Sequence, residues 1–373
     1  MKSMRERMNK TLNLKDLSVN TKQDKDDSGV AGLAGGPKSK KIVGMSEADF
    51  SRRYKLGGMV MESTHAGMSV LYASRLKDNF QVVVKVRVKA MSFKKGSEEM
   101  EWRATMEFQM NMPKTESICE LIEVIETETS YYVVMERVEG RDLFEEVADQ
   151  PMKHVDVREV IYQILEAVNA MHTAGRIHKD LKLENVMVDM DSPRAKKVGR
   201  RLSGVGMAGD PLGGEIGSPV QAKLIDFDTV ESWEPNSPKA KDVLGTDGYI
   251  SPEAYLGEYS PASDVYCVGV ILYKLLTKKF PSRKELFDDK PGENYVGSPA
   301  MKRIYDRLKV QKIDFTLSPL DKCPQAAQLC EAMLAFDAGA RPSAEEALQS
   351  PWFTLPADAL PERVSTQRQA SMR

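Results

Sequence analysis

The sequence predicts an α+β chain of two unequal lobes, a small β-rich one followed by a larger helical one, on three observations. β-branched and alternating runs crowd between Tyr54 and Glu136. Helical periodicity takes over after Gly140. The turn-rich stretch 190–220, with seven Gly and three Pro, reads as a flexible insertion within the second lobe, because it has no apolar face to bury. At 373 residues, 41% hydrophobic and 29% charged, the chain has the length and composition of a globular protein with a substantial core.

The elements follow in order. Residues 1–50 are polar, with ten Lys/Arg against five Asp/Glu over the first 45, and read as a disordered basic arm. Val70–Tyr72 and Gln81–Val88 are strands separated by the turn residues Lys77-Asp78-Asn79. Ser97 and the acidic Glu98 and Glu99 start a helix to Met112. Strands Leu121–Glu126 and Tyr131–Glu136 close the first lobe, 51–137. The second, 138–355, carries helices Asp156–Thr173, Ser263–Leu276, Ala326–Ala335 and Ser343–Ser350, and 356–373 is a tail.

A net charge of −2 gives no reason to expect nucleic acid or an anionic membrane as partner. Four cysteines stand in no metal or disulfide rhythm, the apolar run near Val265–Leu276 is too short for a membrane span, and no signal-peptide core is seen. These point to a soluble cytoplasmic protein.

The chemistry concentrates in His178-Lys179-Asp180-Leu181-Lys182-Leu183-Glu184-Asn185. Phosphoryl transfer needs a carboxylate for the attacking hydroxyl, a cation for the phosphate and an oxygen donor for a metal ion, and Asp180, Lys182 and Asn185 supply them in one loop. This loop resembles the catalytic loop of the protein kinase superfamily, with Lys179 in place of the usual Arg. Its Asp-Leu-Lys-x-x-Asn form is similar to that of serine/threonine kinases, and the chain as a whole resembles a calmodulin-kinase-like or related basophilic group.

The resemblance covers about residues 52–355 and implies a bilobal kinase fold, ATP and Mg²⁺, and protein substrates with Ser/Thr acceptors. It makes Asp226 of Asp226-Phe227-Asp228 a second metal ligand, with Asp228 departing from the family's Gly. Gly245–Glu253 resembles the end of an activation segment, with Thr246 at the site and Glu253 paired to Arg341. Asp264 resembles the residue that holds the catalytic-loop backbone. Lys85 of Val82-Val83-Val84-Lys85 is the phosphate-gripping lysine, and its helix partner is Glu107, with Glu101 the alternative. Val70 and Val83 form the roof of the adenine pocket, Met187 its floor, and Met135, Glu136 and Val138 the strand and hinge.

The nucleotide loop departs from the pattern: Ser63, His65 and Met68 stand where glycines are expected, and only Gly67 is nearby. That departure, with Asp228 and Lys179, keeps a second reading open, a pseudokinase scaffold with weak nucleotide binding. A small-molecule kinase is disfavoured by the long segment from Asp226 to Glu253. Asp242 facing Lys179 reads as a built-in substitute for a phosphate clamp. Asp142 and Glu184 resemble the carboxylates that, in basophilic relatives, receive an Arg three residues before the acceptor, a spacing that Ser203 and Ser371 of the chain itself share.

Overall fold

The computed structural model describes residues 39–61, 67–93, 95–112, 114–192 and 220–361. The chain divides into two compact units, one of 1–111 with 122–134 and one of 112–121 with 135–373.

The first unit carries a six-stranded sheet. Its strands are β1 (Val43–Gly44), β2 (Tyr54–Met61), β3 (Met68–Arg75), β4 (Phe80–Val88), β5 (Leu121–Glu126) and β6 (Ser130–Glu136), in the order β1-β5-β6-β4-β3-β2. Helices α1 (Glu47–Arg53), α2 (Lys89–Ser92) and α3 (Gly96–Gln109) complete it. Strand alternation sorts β4 by face: Val82 and Val84 are fully buried, packing with Phe50, Tyr54, Ala73, Ile125, Tyr132 and Val134. Val83 and Lys85 fall on the other face.

One boundary differs from the sequence reading. Part of the expected disordered arm is structured, because residues 43–53 bring a parallel edge strand and a capped helix to the sheet. Val43 pairs with Ile125, and Ser46 accepts from Asp49 N–H to start α1. Phe50, 2% exposed, stacks on Tyr132 with ring centroids 3.7 Å apart. A single aromatic in a charged stretch is a weak periodicity signal, yet burying it contributes about 1.5–3 kcal/mol. Residues 1–38 lie outside the described part.

The second unit is mostly helical. It holds β7 (Arg141–Asp142), α4 (Leu143–Asp149), α5 (His154–Thr173), β8 (Arg176–Ile177), β9 (Val186–Asp189), β10 (Gln221–Leu224) and β11 (Glu231–Ser232). Helices α6 (Pro261–Thr277), α7 (Pro299–Val310), α8 (Pro324–Met333) and α9 (Ala344–Leu348) follow. β9 and β10 pair antiparallel from Asp189↔Gln221, so the glycine-rich insertion joins two neighbouring strands. Its residues 193–219, with Ser203, lie outside the described part, as do 362–373 with Ser371. Segment 112–121 belongs to this unit: Cys119 N–H donates to Leu224 O and Leu224 N–H to Ser117 O. Among the described residues no helix is long and apolar enough to cross a membrane.

Candidate active site

The catalytic-loop residues sit between β8 and β9, and a buried carboxylate from α6 fixes their backbone. Asp264 Oδ2 accepts from His178 N–H at 2.8 Å and Oδ1 from Lys179 N–H at 2.9 Å, with His172 Nε2 3.0 Å from Oδ2. Burial pushes the Asp264 pKa up, but the His172 hydrogen bond and the loop N–H groups outweigh it and hold the group below its ordinary value. The fixed loop carries Lys179 at φ +71, a conformation uncommon for a non-glycine residue.

Around Asp180 the side chains form a closed set. Lys182 Nζ donates to Asp180 Oδ2 at 2.6 Å and to Thr246 Oγ1 at 2.9 Å, while Thr246 Oγ1–H donates to Asp180 Oδ1 at 2.9 Å. Asn185 Nδ2 donates to Asp180 O at 2.8 Å and lies 3.4 Å from Oδ2. Both carboxylate oxygens of Asp180 are thus oriented, one by a cation and one by a hydroxyl. Thr246 reaches the loop from the segment 245–253, which is anchored by Glu253. That carboxylate takes a bidentate pair from Arg341 at 2.8 Å on each oxygen.

Asn185 and Asp226, the residues expected to face a cation, carry a side-chain amide oxygen and a carboxylate. The Asn185 side-chain amide donates its nitrogen to Asp180 O at 2.8 Å, and Ile225 N–H on the Asn185 backbone O at 2.9 Å ties the two stretches together. A carboxylate and an amide oxygen are the hard ligands that Mg²⁺ takes. Asp226 has φ +60°, and Asp228 has no positive φ. The substitution at 228 therefore carries no left-handed strain. Phe227 packs on the His178 ring at 5.5 Å.

In the first unit, Lys85 stands opposite Val70 across the β3–β4 ladder, and Val83 lies on the same face, so the expected lysine and roof residues share one surface of the sheet. Gly67 has φ +75, and a Cβ there would stand 2.5 Å from Met91 Cβ. No side chain fits, so this glycine is required for packing. Met68 opens β3, while Ser63 and His65 lie outside the described residues. Met135 and Glu136 end β6 and Met187 lies in β9; Val138 follows β6. The Glu136 carboxylate bonds Lys223 Nζ at 2.5 Å and accepts Glu120 N–H.

Two charge pairings differ from the sequence expectation. Glu107, expected as the partner of Lys85, has its carboxylate on Lys41 Nζ at 2.9 Å, and Lys41 holds its pKa below the ordinary value. The reason is β1: the segment leading into it runs past the last turn of α3, where Lys40 N–H also donates to Asn111 Oδ1. The side chain of the alternative, Glu101, lies outside the described residues. Lys179 does not meet Asp242, whose backbone pairs with Tyr295. Its ammonium, on a side chain 3% exposed, pairs with Glu231 at 2.9 Å and lies 4.5 Å from the Tyr259 ring. Tyr259 in turn bonds Leu244 through both its N–H and its C=O. Glu231 and Tyr259 carry no motif signal of their own.

A family model described as "Protein kinase domain" matches residues 67–353 of the chain. The chain belongs to the protein kinase family. Within it, this kinase domain is 30% identical over 240 residues to "Calcium/calmodulin-dependent protein kinase type II" of Caenorhabditis briggsae, covering 64% of the chain and 38% of that protein. It is 24% identical over 317 residues to "Hormonally up-regulated neu tumor-associated kinase" of Mus musculus, covering 82% and 38%. It is 27% identical over 311 residues to "Sperm motility kinase Z" of Mus musculus, covering 82% and 51%. The chain thus spans from 38% to about half of these relatives' own lengths.

Proposed function

We propose that the chain is an ATP-dependent serine/threonine protein kinase. The observation that carries this reading is the closed set Asp180–Lys182–Thr246, in which both oxygens of one nearly buried carboxylate are held. In the proposed reaction the acceptor hydroxyl oxygen bonds the γ-phosphorus of ATP while the bond from that phosphorus to the bridging oxygen of ADP breaks. The hydroxyl proton passes to Asp180. Lys182 keeps the carboxylate aimed and offers a positive charge to the transferring group, and Thr246 fixes the other oxygen. Lys85 grips the α- and β-phosphates. Asn185 and Asp226 would hold Mg²⁺, which would supply positive charge against the phosphate oxygens.

Arginine three residues before the acceptor is the finer part of the proposal. It rests on Glu184, which is exposed, and on Asp142, whose Oδ1 also accepts Glu145 N–H at 2.8 Å as the cap of α4. The scaffold reading has no use for the oriented Asp180 set.

The test is Mg²⁺-dependent transfer of labelled γ-phosphate to a mixed panel of Arg-x-x-Ser and Pro-directed peptides, with Asp180→Asn as the control. Transfer abolished by the substitution is the expected result. Equal transfer by the control, or none by folded wild-type protein, would overturn the proposal.

A further inference from the structure

Lys274 of α6 is a half-buried lysine held by rings. Its ammonium lies 3.9 Å from the Phe280 ring centroid, 5.5 Å from Phe144 and 5.7 Å from Tyr249. Such contacts suit a cation that has given up part of its water. Burial drives its pKa down, and the nearby Glu184 carboxylate offsets part of that shift through space. The hydrogen bond to the Tyr249 hydroxyl is long at 3.5 Å, and among the described residues no carboxylate comes within ion-pair distance of Lys274. The three rings hold the charge in place but offer its N–H groups no strong acceptor.

The cage stands beside the catalytic loop. The Tyr249 hydroxyl feels both the Leu183 backbone and the Glu184 carboxylate of that loop. Tyr249 belongs to the same segment as Thr246, whose hydroxyl bonds Asp180. Gly248, at φ +86, brings that segment down onto Phe280: a Cβ there would stand 3.2 Å from the ring. Phe144 follows directly on Leu143, the first residue of the helix that Asp142 caps. Four separate stretches therefore converge to hold one cation next to the acceptor-side carboxylates.

Resting on the kinase reading, we propose that Lys274 is a specificity-determining residue. It receives an anionic side chain of the polypeptide substrate, a carboxylate or a phosphate, at one position flanking the acceptor, and it disfavours Arg or Lys there. The preference for Arg that Glu184 and Asp142 would create at another position is compatible with it, so the substrate is read with both signs of charge.

The experiment compares the full chain with Lys274→Met, which keeps the apolar stem in the cage, and with Lys274→Glu. Each is assayed on a position-scanning Ser peptide library carrying Asp, Glu, phosphoserine or Arg at every flanking position. In parallel, fluorescence anisotropy measures binding of the same peptides with Ala as acceptor. Wild type is expected to favour the anionic residues over Arg at one position by about three- to tenfold, mainly through KM. Phosphoserine ahead of Asp and Glu assigns a phosphorylated substrate, and parity assigns a carboxylate. Lys274→Met should level the preference and Lys274→Glu invert it. Profiles that do not change in either variant would overturn the assignment while leaving the kinase reading intact. Absence of transfer to any peptide, with Lys274-dependent binding of the acidic Ala peptides, would do the reverse.

Discussion

Replacing Arg341 tests how the acceptor-side segment is anchored. All five guanidinium N–H donors are used: two meet Glu253, and the others reach Ala335 O at 2.7 Å, Ala262 O at 2.9 Å and Phe336 O at 3.1 Å. The Arg341 side chain is fully buried and that of Glu253 nearly so. Arg341→Met fills much of the space but strands a buried carboxylate, which costs about 3–5 kcal/mol, a large share of a typical domain's stability. Glu253→Leu/Arg341→Met removes both charges, so it should recover about 1–3 kcal/mol relative to the sum of the single variants. The pH dependence separates this cause from lost packing. In the wild type, burial raises the Glu253 pKa, but the Arg341 hydrogen bonds and charge and the Ser263 hydroxyl more than offset it, leaving the group below its ordinary value. That contribution is therefore present above the ordinary carboxylate range and is lost as pH falls through the folded value. Without Arg341 burial dominates, the sign reverses, and the penalty should shrink as pH falls and the stranded carboxyl takes a proton. Urea denaturation followed by fluorescence, with Trp233 and Trp352 reporting the second unit, measures both. A cost below about 1 kcal/mol, or a penalty that stays constant into acid, would refute the reasoning.

Thr246→Val removes the hydroxyl that links Asp180 and Lys182 and leaves their direct bond. A hydrogen bond to a charged group contributes about 1.5–3 kcal/mol, so kcat should fall about 10- to 150-fold with the KM for ATP little changed, and Thr246→Ser should recover most of it in steady-state assays. His154, 1% exposed and with neither ring nitrogen hydrogen-bonded, has its pKa driven by burial from 6.5 to about 4. The folded state then binds fewer protons than the unfolded one between these values, so stability is full above pH 6.5 and falls by about 3 kcal/mol toward pH 4. Unfolding midpoints of His154→Leu should fall less steeply than those of the wild type across that window; parallel curves would contradict the assignment.

What the sequence disclosed follows from how far apart the interacting residues lie along the chain. His178 to Asn185 is contiguous, so its chemistry is written in one window, and the strand alternation around Lys85 is local in the same way. Asp264 and Arg341 lie far from the loops they serve but stand in short patterns of their own. The residues that were not legible lack both kinds of signal. Lys41 reaches Glu107 because a two-residue edge strand draws the preceding segment past the end of α3. Neither a two-residue strand nor a single buried Phe50 raises a polar stretch above the composition of a disordered arm.

Lys179 shows the same limit with a consequence for the site. Asp242 lies only four residues before Thr246, and sequence distance alone makes it the natural counter-charge. The pairing that decides the matter is β8 with β11, where Ile177 stands opposite Glu231 and brings that carboxylate next to the loop. Two residues of strand on either side are too few to read as a hairpin. Their effect is to satisfy a nearly buried ammonium from within the chain, with the Tyr259 face on another side and Tyr259 in turn bonded to Leu244. A cation already holding a carboxylate and a ring has little electrostatic reason to recruit a phosphate. The contacts that join the loop to the segment before Thr246 are therefore made from side chains the chain always carries, and the approach of Thr246 to Asp180 needs no added charge at Lys179.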